Sequence, residues 1–257
     1  MGAAGAAERL HRGRLTLPVG APVDRFREFA TMAPMTDVYV EIGSKRVFAG
    51  SLEWLGWCRS GRDEGSALAS LAAYGERYQA SIGRSVQGFA PPTSAADLRV
   101  VERLKGNATT DFGVPAIAPG IDDRPLDPNE SKRQAALLSA CWGAFDRTAR
   151  SAKGRALRKG PRGGGRDLDA IVRHALEADR AYLAKLGGRW QKGAAEGDTA
   201  EQADALRHEL LQLFASRARG DPPPRTPRSG SLWSPRYFVR RSAWHALDHA
   251  WEIEDRV

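Results

Sequence analysis

Four stretches in the second half of this chain repeat apolar residues at helical spacing, and glycine- or proline-rich breaks separate them. They are Glu130–Arg150 (Ala135, Leu138, Cys141, Trp142, Phe145), Asp167–Leu186 (Leu168, Ile171, Ala175, Ala178, Tyr182), Thr199–Ala218 (Ala203, Leu206, Leu210, Leu213, Phe214) and Pro235–Arg256 (Phe238, Trp244, Leu247, Trp251). A helix with one apolar stripe cannot bury that stripe against itself. Four such helices of roughly 20 residues satisfy one another by packing around a shared core. The pattern predicts an all-α, up-and-down four-helix bundle over 129–257.

The first half reads differently. Asp37–Ile42 and Arg46–Trp54 are strand-like runs around a Gly43-Ser-Lys45 turn, which predicts a hairpin. Asp63 is a candidate N-cap for a helix reaching about Ala80, with Ala67, Leu71, Tyr74 and Tyr78 on one face. Leu98–Leu104 fits a strand or a short helix. Between Val114 and Pro128, Pro115, Pro119, Pro125 and Pro128 discourage regular structure. The 257 residues suffice for two cores, so the sequence predicts a disordered basic tail over 1–34, a small α+β domain over 35–113, a linker over 114–128 and then the bundle. The fold class is thus an α+β N-terminal domain followed by an all-α bundle.

No apolar run approaches the ~18 residues that suggest a membrane span, and Met1–Gly20 lacks the apolar core of a secretory signal. Cys58 and Cys141 fall in different predicted domains, which excludes a disulfide framework or a cysteine zinc site and fits a reducing cytoplasm. Both are expected to pack as small hydrophobes. The net charge of +8 concentrates in two loops, Lys153–Arg166 and Arg217–Arg228. No zinc-finger, RNP or GxxG pattern accompanies them, so nucleic acid is not the expected partner.

Three of the five histidines fall where a bundle core would use them. His245 and His249 are four apart, which places them on one helix face with Cβ atoms roughly 5–6 Å apart. His174 lies three residues after Ile171 and four before Ala178, on the apolar side of its own helix. With alternating helices, the second and fourth run parallel, and His174 and His245 lie at similar depth, roughly 10 and 15 Å from their helix starts. The same topology brings both basic loops to the mouth, where Arg162, Arg166, Arg225 and Arg228 would attract an anionic substrate. Three imidazoles with an open position describe a catalytic site, and zinc and nickel both accept them. Asp248 and Glu252 are candidates for orienting an imidazole, and Glu252 for a fourth ligand. His11 and His208 are expected to be solvated.

The run Arg240-Arg-Ser-Ala-Trp-His-Ala-Leu-Asp-His-Ala-Trp-Glu-Ile-Glu-Asp-Arg256 resembles the last helix of DinB-like proteins, which include mycothiol-dependent maleylpyruvate isomerases and related thiol transferases. Asp169-Ala-Ile-Val-Arg-His174-Ala-Leu-Glu-Ala resembles that family's second helix. The resemblance covers the second half of the chain. It implies a divalent metal on His174, His245 and His249, and a low-molecular-weight thiol such as mycothiol as co-substrate. The N-terminal hairpin followed by Leu55-Gly-Trp-Cys58 and an Ala/Leu-rich helix is similar to the HicB-like antitoxin fold, which implies a protein partner or a second copy of the chain; fold alone does not imply antitoxin function. Trp54 and Trp57 serve either core packing or such a partner, and core packing is the expected use.

Two functions are consistent with these features. In the first, the chain is a metal-dependent thiol transferase or isomerase for a small anionic substrate. In the second, it is a non-catalytic regulatory protein whose N-terminal domain binds a partner and whose metal is structural or vestigial.

Overall fold

The structure, a computed structural model, describes residues 1–2, 35–83, 86–159, 165–191, 199–226 and 231–257. The predicted tail over 1–34 lies outside the described residues except for its first two. The hairpin forms as β1 (Thr36–Ile42) and β2 (Val47–Ser51), and a third strand, β3 (Cys58–Gly61), follows that the sequence pattern did not announce. Helices α1 (Glu64–Ala73) and α2 (Gly75–Ile82) come next, then β4 (Leu98–Lys105) and the short α3 (Ala108–Phe112). The sheet has the order β3-β2-β1-β4, with β4 parallel to β1 and the other pairs antiparallel.

Both faces of this sheet are covered. Side chains alternate along a strand, so Val38 and Val40 share one face, and they join Ala67 and Leu71 of α1 in the main core. Tyr39 and Glu41 take the other face. There the Glu41 carboxylate, fully buried, accepts hydrogen bonds from Thr110 and from the backbone N–H groups of Ala116 and Ile117. Asp63 caps α1 through the backbone N–H of Ser66, at 2.7 Å, as its position suggested.

The four long helices are α4 (Pro128–Ser151), α5 (Leu168–Lys185), α6 (Thr199–Ala218) and α7 (Pro235–Arg256). Asp127, Asp167 and Ser234 cap the starts of α4, α5 and α7, and proline occupies the first helical position of α4 and α7. Such a proline costs no hydrogen bond there and already has helical φ.

The helix directions differ from the expected alternation. Arg236 pairs with Glu130 at one end and Glu254 accepts from Thr148 at the other, so α4 and α7 run parallel. The backbone N–H of Trp233 donates to Lys185 O, while Arg256 donates to Arg166 O, so α5 runs against α7. Gly187 and Gly188, just past α5, lie against Pro223, just past α6, and Leu213 near its end. Helices α5 and α6 therefore end together, and the order is up, down, down, up. The expectation assumed short connections. The 13 residues between Lys185 and Thr199 can span up to ~43 Å, while α5 is only ~27 Å long, so the chain can return the full length of a helix before starting the next.

The described residues from 35 onward pack as one compact unit, and a single core joins Val38, Trp57 and Leu71 to Leu138, Leu210 and Leu247. The stretch 114–128 does not divide two cores. It contains a turn of 3-10 helix, Gly120–Asp123, that presents Asp122 to α7. Arg240 of α7 grips this fully buried carboxylate with two bonds of 2.7 and 2.8 Å and donates to the carbonyls of Ser51 and Leu52 at 2.6 and 3.1 Å. Gly56 lies beside this contact at φ +90°, and a Cβ there would sit 2.8 Å from that of Ala243. Trp54 and Trp57 are both buried, which assigns them to packing.

Removing one partner of a buried pair leaves an uncompensated charge and costs about 3–5 kcal/mol. Arg240→Ala is therefore expected to lower the unfolding free energy measured by urea titration by an amount in that range, with a lower midpoint. The double variant Asp122→Leu/Arg240→Met, which buries no charge, is expected to recover much of the loss. Equal midpoints for Arg240→Ala and the parent would show that the pair does not anchor α7.

Candidate metal centre

His174, His245 and His249 come together, with one potential ligand atom from each lying within 4.8 Å of the other two. Because α5 opposes α7, depth is matched from opposite ends: His174 is six residues after the start of α5 at Leu168, and His249 seven residues before the end of α7 at Arg256. The parallel alignment expected for these helices is incorrect, yet the histidines still share a level.

The Nε2 atom of His245 lies 3.2 Å from Nε2 of His174 and 3.2 Å from Nε2 of His249. Imidazole nitrogens ~2.05 Å from a tetrahedral ion are separated by roughly 3.3 Å. The spacing is therefore that of adjacent corners of a metal's coordination shell. Nδ1 of His249 faces a Glu252 oxygen at 2.8 Å. A carboxylate there holds the proton on Nδ1, which leaves the Nε2 lone pair directed at the cluster. Arg256 holds the other Glu252 oxygen at 2.7 Å.

Electrostatics favour neutral ligands. Burial pushes His245 well below the ordinary imidazole value, and the neighbouring His249 and Arg241 push the same way. Burial also lowers His174, with His249 and Arg166 adding to the effect. The hydrogen bond from His249 is the largest cause holding Glu252 below the usual carboxylate range. Two neutral imidazoles and an ionised orienting carboxylate are the protonation states that metal binding requires.

The cluster opens onto a cavity of about 1000 Å³. Tyr182, Trp244, Trp251 and Val114 form apolar walls, and exposed Phe112 stands at its edge. Arg166 lines the cavity, as expected. Arg225 does not. It lines a separate cavity with Gly187, Arg189 and Glu209, because α6 ends beside the end of α5, away from His174. Arg162 and Arg228 lie outside the described residues. Asp248 turns to Arg59 at 3.1 Å instead of to an imidazole, and Glu252 orients His249 while both its oxygens are engaged. His208 is exposed, as anticipated, with Gln212 beside it. Cys58 and Cys141 are buried, and burial raises both thiols, Cys58 to about 12. They are poor nucleophiles.

Sequence reasoning missed Arg241 as a cavity residue. Arg241 precedes His245 by four and so shares the face of the histidine pair, which was the signal that could have found it. Comparison of the chain with family models, curated proteins and solved structures returns no match.

Two outcomes are expected. Protein purified without a histidine tag and supplied with zinc or nickel holds near-stoichiometric metal by mass spectrometry; His245→Ala loses it, and Glu252→Gln binds roughly 10–100-fold more weakly. Retention of metal by His245→Ala would place the ion elsewhere. The second concerns pH. His245 binds its proton less readily when folded than when unfolded, so the metal-free protein loses stability as pH falls below the ordinary value of 6.5 and on through the depressed folded value. His245→Gln is expected to flatten that part of a stability-against-pH curve, and an unchanged slope would count against the cause.

Proposed function

We propose that this protein is a divalent-metal-dependent enzyme in which His174, His245 and His249 hold the ion and a small anionic molecule reaches it through the basic cavity. The observation that carries this reading is the set of three converging imidazoles on the wall of a large cavity. Structural zinc is usually closed by a fourth protein ligand. Glu252, the nearest candidate, already uses one oxygen on His249 and the other on Arg256. A bound divalent ion with an open position supplies Lewis acidity to a substrate oxygen or lowers the pKa of a thiol.

The chain's own residues supply the rest. Glu252 fixes the tautomer and ring orientation of His249. Tyr182, packed edge-on against His245 with ring centroids 5.8 Å apart, limits the motion of that ring. Trp244 and Trp251 keep one side of the cavity dry, and Arg158, Lys159 and Arg166 give it positive charge. We read α4–α7 as a DinB-like four-helix bundle, supported by the Trp-His-Ala-Leu-Asp-His run on α7 and by His174 on α5. Group transfer or isomerisation of a small anion, with a low-molecular-weight thiol as co-substrate, is the reaction class that follows from this reading. The regulatory alternative loses the two tryptophans the sequence offered it, since Trp54 and Trp57 are buried.

Cobalt(II) substitution tests the open position. Azide added to the cobalt-loaded protein is expected to change its visible spectrum, because an exogenous anion can enter the coordination shell. A spectrum indifferent to azide would mean a closed, structural site and would favour the regulatory reading.

A further inference from the structure

The charges around the cavity do not balance: among the described residues Arg158, Lys159, Arg166 and Arg241 line it without a carboxylate partner, and of these Arg241 lies on α7 with the histidine pair. Among the described residues the cavity's acids are all paired, Asp248 with Arg59, Asp255 with Arg77 and Glu252 with Arg256. The Arg241 guanidinium lies 4.8 Å from the Trp244 ring centroid and 5.9 Å from that of Tyr182, and its buried Nη1 has no hydrogen-bond partner. The aromatic rings hold the planar fork in place, so little entropy is lost when a ligand takes it.

Arg241 precedes His245 by one helical turn, about 6 Å of rise, on the same face as the histidine pair. From these positions we infer that Arg241 anchors the carboxylate of a small organic acid while another group of the same molecule reaches the ion held by the histidines. This inference rests on the metal-centre reading above. The apolar surfaces of Tyr182 and Trp244 suit a planar or unsaturated body, one turn of helix limits its length, and a single guanidinium matches a single negative charge through two parallel bonds. Arg241 acts by positioning the substrate: it orients the acid, and the chemistry takes place at the metal.

The test is calorimetric titration of the zinc-loaded full chain with benzoate, with its neutral counterpart benzamide, and with phenyl phosphate. Benzoate is expected to bind about tenfold or more tightly than benzamide, and Arg241→Gln to abolish that preference with the zinc content unchanged. Arg241→Lys keeps the charge but loses the fork, so it is expected to retain only part of the preference. Should Arg241→Gln fail to fold, Arg241→Lys decides the matter: a reduced preference supports the anchor, and parental affinity for benzoate overturns it. Parental affinity in a folded Arg241→Gln also overturns it, as does tight binding of phenyl phosphate without benzoate. Repeating the titrations on metal-free protein separates the two readings. If zinc does not bind yet benzoate selectivity still depends on Arg241, the anchor stands and the metal reading falls. If zinc binds and selectivity is indifferent to Arg241, the anchor falls alone.

Discussion

The contact on which the rest of the architecture depends is the buried pair between Arg240 and Asp122. One guanidinium satisfies a carboxylate with no solvent access and two backbone carbonyls at the end of β2, so α7, the sheet and the 114–128 stretch converge on one side chain. A planar donor with five N–H groups in a fixed fork can do this; an ammonium group cannot match the geometry. The net energy of such a pair is modest once desolvation is counted, but its directionality is high. Shifting α7 by one residue would bury two charges without partners. The pair therefore sets the rotation and height of α7, and with them the direction in which His245 and His249 point.

The histidine cluster inherits this precision. His245 and His249 are placed by a helix locked at Arg240 and at both of its ends, through Arg236 with Glu130 and Arg256 with the carbonyls of Arg158 and Arg166. His174 is supplied by α5, whose start is tied to the end of α7 by those same Arg256 bonds. The imidazoles accordingly need little rearrangement to accept an ion. The burial of His245 and His174 costs stability as pH falls, which is the ordinary consequence of holding bases neutral in a dry site.

Charge is used in two ways around the cavity. Asp248, Glu252 and Asp255 are each neutralised by an arginine, and those pairs orient side chains and tie α7 to its neighbours. Arg158, Lys159, Arg166 and Arg241 are left without carboxylate partners among the described residues, so the cavity carries a surplus of positive charge. The aromatic residues Tyr182, Trp244 and Trp251 lower the local dielectric and strengthen whatever that surplus binds.

Much of this could be read from residue order. Apolar periodicity marked the four long helices to within two residues at their ends, and the spacing of His245 and His249 put both on one face, because helical side-chain positions repeat every 3.6 residues whatever surrounds them. Asp63 declared its helix start by local capping chemistry. The direction of α6, the merging of two expected domains into one core, and the placement of Arg225 away from the site were not legible, since they depend on which surfaces meet across long stretches of chain. The role of Arg241 belongs to the same class. Its sequence position gave it the right face, but only packing against Trp244 and Tyr182, and the commitment of the cavity's described acids to other arginines, left its guanidinium without a carboxylate partner among the described residues. Local periodicity and capping are properties of a segment, and the sequence determines them alone; unpaired charge and shared cores are properties of the whole packed chain, and the tertiary structure decides them.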